Sequence, residues 1–486
     1  MQSGWKRLLV PVSGRDLATS WLVLAAIAGV VGLSLGLLIR AELAQPGIQL
    51  FSHPARYNDV VMMHGMVLNY LFALPLMVGG FGNLVLADLL KREDAKAPLL
   101  SRAAIYVFAA ASVVFILAPL LDLGSGAGNQ AGSGWTMYPP LAGGNDARIA
   151  FPALAGALLV CIAALLLSMA GLVWTAASAG ASGFTNLLRQ AGGMWMVAGM
   201  GVAAVQLLAD ARTAALMLAG TSELLPHFGT GFAAGEVRAL ELTHPDALSL
   251  ALLLLCVGLI VAIAARSAGR PAFLWLASLV SLILLLAGLA VPHLRLEEMW
   301  LDQPWIAQMV LDGRFAVPLA LVGLASLIAL LLARPVPFLE IGWTIGLALI
   351  IGTGVYAMRG LGGAGVDMAL HDTYYVVAHL HFLAGMAVPF AVLSGLVAYY
   401  PSMTASLAAM IVGWVGLLLT TVGTLVTFFP MYWLGLMGMP RRYIDYPEMF
   451  APMNAISSTG AAILGVAGLL LAVWLAMAIV LRKTSH

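Results

Sequence analysis

Continuous apolar runs, broken at short polar intervals, set the pattern of this chain from one end to the other. Windows of roughly 20 apolar residues, enough to carry a helix across about 30 Å of hydrocarbon, recur about twelve times. They fall near 17–40, 58–90, 102–122, 149–176, 190–220, 241–265, 272–292, 304–333, 338–358, 372–400, 404–430 and 454–482. The connections are short and leave no room for a soluble domain. A transmembrane barrel would alternate apolar and polar residues with period two, and these runs do not. The pattern predicts an all-α fold, a polytopic membrane bundle of about twelve transmembrane helices forming one domain over 1–486.

Composition agrees. Hydrophobic residues make up 62% of the chain, charged residues 9%, and mean hydropathy is +0.99. A soluble domain has no use for that much apolar surface, so the lipid bilayer is the expected solvent. The net charge of +1 gives no basis for nucleic-acid binding. Lys6, Lys91, Lys96 and Lys483 all fall on one side of a twelve-span bundle, joined by Arg7, Arg15, Arg92, Arg102, Arg266, Arg270, Arg334 and Arg482. The positive-inside rule then puts both termini in the cytoplasm of a bacterial-type inner membrane. The opposite side carries arginine without lysine, notably Arg40, Arg441 and Arg442, which suggests pairing with anionic groups. Lys6 and Arg7 precede an apolar run without a small-residue cleavage site, so that run reads as a retained first helix.

Cys161 and Cys256 stand alone in apolar runs and read as buried filler. No C-x-x-C-H is present to attach a c-type haem, and no cysteine pair suits a binuclear copper centre.

The histidines carry the chemistry. Three of nine lie in His371-Asp372-Thr373-Tyr374-Tyr375-Val376-Val377-Ala378-His379-Leu380-His381. A helix turns about 100° per residue, so His379 and His381 point about 200° apart. They cannot share one metal, but they can hold two centres on opposite sides of one helix. His64 sits early in the second run, within MMHGMVLNYLFALPLMVGGFGN. A lone membrane histidine is costly, and it is either a functional ligand or a hydrogen-bonded residue between helices.

HDTYYVVAHLHF closely resembles the signature of haem–copper oxidase subunit I, the catalytic subunit of cytochrome c oxidase. The resemblance extends to LLIRAELAQPG around Arg40, to GGFGN with Asn83, to GSGWTMYPPLAG with Trp135, and to FFPMYWLGLMGMPRRYIDYP. It implies two haems. His64 and His381 would ligate a low-spin haem through two imidazoles, and His379 alone would ligate a high-spin haem with an open distal face. Arg40 would contact the low-spin haem, Trp135 would lie near the high-spin haem, and Arg441 and Arg442 would neutralise propionates. His371 and Asp372 match positions that hold magnesium or a similar hard cation. The implied partners are a small subunit II-like protein and cytochrome c or a similar donor, with NO or O2 as substrate. Haem type, whether a, b or o, stays open.

Three departures bear on the substrate. The family holds copper with one histidine in the sixth span and an adjacent pair after the seventh, with a tyrosine one turn beyond the first. Here His244 is present in THPDAL, but position 248 is Leu. His293 is followed by Leu294 where a second histidine is expected. Glu297, four residues on, is either a third ligand to copper or non-haem iron or a solvated loop residue. Glu298 and Asp246 are also near. Ala316–Val322 is apolar where the family has a threonine and a lysine on a proton route. Four-electron cleavage of O2 draws on that tyrosine, whereas coupling two NO to N2O needs only two metals. The departures therefore favour an enzyme reducing NO to N2O with little proton pumping. A divergent oxidase reducing O2 to water and a non-catalytic dihaem electron-transfer subunit are the alternatives.

Overall fold

A computed structural model describes residues 4–91, 98–119, 150–178, 183–218, 245–290, 304–361 and 364–484. These residues are almost wholly helical, and the expected runs become helices within a few residues of their predicted ends. In chain order the spans are Gly14–Glu42, Arg56–Leu89, Leu99–Leu117, Ala150–Ala177, Ala191–Leu218, Pro245–Ser267, Ala272–Ala290, Pro304–Leu332, Phe338–Leu361, Tyr374–Tyr399, Leu407–Leu436 and Ala451–Thr484. Eleven are long and apolar enough to cross a bilayer, and the seventh is a shorter apolar helix over Ala272–Gly288. The all-α polytopic membrane bundle is therefore the observed architecture.

Local chemistry sets the ends. Ser13 caps the first span by accepting from the Asp16 N–H, and Asp16 accepts from the Ser13 N–H in return, a reciprocal capping box. The eleventh span stops at Gly438, whose φ of +85° admits the left-handed turn a helix end requires. There the Gly438 N–H donates to Gly435 and the Met439 N–H to Leu434, both at 2.9 Å, which satisfies two otherwise bare carbonyls.

The chain divides into two compact units. The first takes Met1–Thr185, Ala198–Leu252 and Arg442–Ala451; the second takes Asn186–Val197, Leu253–Arg441 and Pro452–His486. In the first, Trp21 packs on Phe108 with ring centroids 5.1 Å apart. Small residues let these helices approach, as membrane packing demands: a Cβ on Gly29 would meet the Phe72 ring at 2.7 Å. In the second, Ser457 donates to the Thr427 carbonyl at 2.6 Å, and the Trp474 indole donates to Met403 at 2.9 Å. Leucine and valine side chains such as Val113, Leu286, Leu324 and Leu469 stay exposed, as expected of surfaces that meet lipid.

Candidate functional site

In the second unit, the His371–His381 segment is tied to the turn after the eleventh span. Tyr374 N–H donates to the Met439 carbonyl and Arg441 N–H to the Asp372 carbonyl, each at 3.0 Å, while Thr373 and Pro440 form an antiparallel bridge. Thr373 caps the tenth span, its hydroxyl accepting from the Tyr375 N–H at 3.2 Å and donating to Leu370 at 2.8 Å. Two stretches singled out separately in the sequence, HDTYY and GMPRRY, are thus one structural element. Gly435 admits the contact, since a Cβ there would collide with the Tyr375 backbone.

Beyond this cap, the α-helix runs from Tyr374 to Leu380 and gives way to a π-helical turn over His381–Gly385. Such insertions recur at functional sites because they change which way successive side chains face. His379 is buried. His381 lies two residues on, at the first position of the wider turn. Its Nδ1 lies 2.7 Å from the Val377 carbonyl, and its ring stacks on Phe428 at 4.3 Å and 18°. Phe382 stacks on Tyr432 at 5.6 Å, and Tyr432 meets Tyr375 edge-on at 4.8 Å.

In the first unit, His64 lies on the second span. Its Nδ1 is 2.9 Å from the Gly32 carbonyl of the first span. Gly36 clears the space beside the ring, for a Cβ there would meet His64 Cε1 at 2.7 Å. The second span is itself irregular, with π-helical stretches over Val67–Ala73 and Pro75–Gly82. Pro75 has no N–H to give a regular ladder. Asn83 donates to the Gly79 carbonyl at 2.7 Å.

A carbonyl oxygen only accepts, so at both His64 and His381 Nδ1 is the donor in this contact. This is the arrangement in which an imidazole ligates metal while its other nitrogen is held by a backbone carbonyl. Each histidine taken by itself therefore has the side-chain setting of a haem ligand. The two histidines belong to different units.

Arg40 is buried at the end of the first span. Glu42 follows, fully buried, and accepts from the N–H groups of Gln49, Leu50 and Phe51 at 2.9, 2.6 and 3.2 Å. Asp445 accepts from the Gly47 N–H at 2.6 Å, and Tyr446 donates to the Leu43 carbonyl at 2.8 Å. The residues just after Arg442 thus close over the end of the helix that carries Arg40. Arg442 itself has φ of +72°, a backbone setting uncommon for a residue with a Cβ and one that clusters at functional sites. Sequence reasoning did not find this clasp. Its only signal was a lone acid, Glu42, at the end of an apolar run.

His371 Nε2 lies 3.3 Å from one Asp372 oxygen, and Arg441 Nη2 lies 3.1 Å from the other. Among the described residues no three acids, histidines or cysteines gather into a metal-binding group. His244, His293, Glu297, Glu298 and Trp135 lie outside the described residues. Leu248 is 3% exposed in the first turn of the sixth span, and Val322 is 1% exposed in the eighth.

Fold and site together define a multi-pass membrane protein that carries histidines within its helical spans, two of them held at Nδ1 by backbone carbonyls. The chain belongs to the family Cytochrome C and Quinol oxidase polypeptide I, which it matches over residues 16–463. It is thus a haem–copper oxidase subunit I, an oxidoreductase of a family that uses haems and copper. Cytochrome c oxidase subunit 1 of Pecten maximus is 28% identical over 495 residues, covering 95% of this chain and 97% of the relative. A solved haem–copper terminal oxidase dimer shares the fold at a TM-score of 0.57 and 14% identity, over 99% of this chain and 84% of that one.

Proposed function

We propose that the chain is the catalytic subunit of a respiratory terminal reductase that takes electrons from cytochrome c through a subunit II-like partner and delivers them to O2. The observation that carries this reading is the family match over nearly the whole length, joined to a relative that is itself a cytochrome c oxidase subunit. It stands ahead of NO reduction, which the departures at the second metal favour.

His64 and His381 hold the low-spin haem by Nε2, each kept in register by a backbone carbonyl at Nδ1. Keeping both ligands in both oxidation states limits rearrangement, which suits electron transfer, and such a haem supplies single-electron steps. His379, buried two residues from His381, would hold the high-spin haem, which would supply the site of gas reduction. Phe428 fixes the plane of His381 by stacking. By the resemblance, Arg40, Arg441 and Arg442 would neutralise the propionates, and Trp135 would serve the high-spin haem. His244 and His293, with Glu297 as third ligand, would hold copper or non-haem iron. His371 and Asp372 serve a magnesium ion near the propionates. We place the protein in a bacterial-type inner membrane with both termini cytoplasmic.

A second reading, reduction of NO to N2O, rests on Leu248. No hydroxyl stands at that buried position to supply an electron and a proton together. Anaerobic NO turnover and O2 turnover measured on one preparation separate the two. Rapid cyanide-sensitive O2 uptake supports the oxidase; N2O formation with negligible O2 consumption overturns it. Two haems with no third metal and neither activity would leave only an electron conduit.

A further inference from the structure

Asp210 is an acid inside the apolar fifth span, among Val205, Leu207 and Leu208. A charged side chain within a membrane helix is costly and marks function more often than scaffolding. Both of its carboxylate oxygens are engaged. Tyr70 Oη donates to Oδ2 at 2.8 Å, and Gln206 Nε2 donates to Oδ1 at 2.8 Å. Gln206 lies one turn earlier on the same helix and is 3% exposed; Tyr70 comes from the second span and is 6% exposed. All three side chains belong to the first unit.

Tyr70 stands six residues beyond His64, in the π-helical turn Val67–Ala73. The neighbouring Asn69 amide donates to the Gly65 carbonyl at 2.9 Å, whereas the Tyr70 hydroxyl reaches from that turn to the fifth span. If the purpose were only to clasp two helices, a neutral pair would serve without the penalty of a carboxylate in hydrocarbon. A phenol and a carboxyl can each give and take a proton, whereas the Gln206 amide only holds the carboxyl in place. The eighth span offers no such groups over Ala316–Val322.

We propose that Tyr70 and Asp210 form a proton relay within the membrane, held by Gln206, that supplies the reduction carried out by this subunit. The proposal rests on the terminal-reductase reading, because each electron given to O2 or NO is matched by one proton. A proton reaching Tyr70 Oη sends the phenolic proton along the existing hydrogen bond to Asp210 Oδ2. The phenol stays neutral and the carboxylate becomes a carboxylic acid. Release of that proton from the carboxyl resets the pair, with no redox change in either side chain.

The test uses the whole membrane complex carrying Asp210→Asn, Asp210→Glu or Tyr70→Phe, with haem content, haem reduction by the donor, and O2 and NO turnover read on each. Asp210→Asn keeps the hydrogen-bonding shape and loses the acid. It should bind both haems and reduce them at the wild-type rate, yet turn over about tenfold or more slowly. Tyr70→Phe should slow turnover likewise, and Asp210→Glu should restore most of it. Wild-type turnover in Asp210→Asn overturns the relay while leaving the reductase reading intact. Loss of haem in Asp210→Asn and Asp210→Glu alike overturns it in favour of a structural clasp. A wild-type complex that reduces neither gas overturns the reductase reading, and the relay with it.

Discussion

Arg441 meets Asp372 twice, Nη2 donating to the carboxylate at 3.1 Å and the backbone N–H donating to the carbonyl at 3.0 Å. The second contact does not depend on either side chain. The Asp372 side chain is 71% exposed, so the ion pair contributes at most about 1 kcal/mol. Thr373, buried and capping the tenth span, should matter as much or more: loss of such a cap costs about 1 kcal/mol. Asp372→Asn should therefore leave thermal unfolding of the complex nearly unchanged, while Thr373→Val lowers the midpoint. Equal and large losses in both variants would mean the side-chain pair carries the junction.

The Nδ1 contacts of His64 and His381 lead to a spectral prediction. His64→Ala and His381→Ala should each abolish the low-spin haem spectrum. His379→Ala should remove only the high-spin species and leave about one haem per chain, since a haem iron with one protein ligand loses its anchor. Visible difference spectra with haem quantification distinguish these outcomes. If His64→Ala and His379→Ala lost the same species, the assignment of two haems to these three histidines would fail.

Much of this was legible in the sequence, for reasons that differ by feature. Spans such as Gly14–Glu42 and Leu407–Leu436 follow from hydropathy alone, because the bilayer forces every backbone group into a helix. The histidines were visible because charge and polarity are scarce in such runs. The π-helical turns at Val67–Ala73 and His381–Gly385 were not, since an extra residue per turn leaves an apolar pattern unchanged. Nor was the partnership of Glu42 with Gln49, Leu50 and Phe51, which depends on how a loop returns. Asp210 stood in plain view within an apolar run, but its partner Tyr70 lies 140 residues away. Periodicity carries no information about such a pair.

The reading of Glu297 makes a prediction about metal content. If Glu297 joins His244 and His293 around one ion, Glu297→Gln should lower the third metal well below one per chain and leave both haem spectra in place. His293→Ala should do the same. Elemental analysis of the purified complex, set against its haem count, provides the measurement. Full retention of the metal in Glu297→Gln would assign that residue to the solvated loop instead.

Gly36 offers the sharpest test of the low-spin site, because two opposing effects of one methyl group can be weighed. Alanine in place of a helical glycine favours the helix by about 1 kcal/mol. Against this, a Cβ at position 36 would stand 2.7 Å from His64 Cε1 and 3.1 Å from Nδ1. Overpacking of that kind costs about 1–3 kcal/mol. The ring can relieve the clash by swinging away, but only by giving up the 2.9 Å contact between Nδ1 and the Gly32 carbonyl that holds it. The two terms leave a net loss of about 0–2 kcal/mol in stability, and nothing offsets the displacement at the haem. Gly36→Ala should therefore lower the unfolding midpoint modestly at most while weakening or displacing the low-spin spectrum. Gly201→Ala, with nothing within 4 Å of the added carbon, should change no spectrum at all. A Gly36→Ala complex with an unaltered low-spin haem would show that His64 is not held against the first span when the haem is bound.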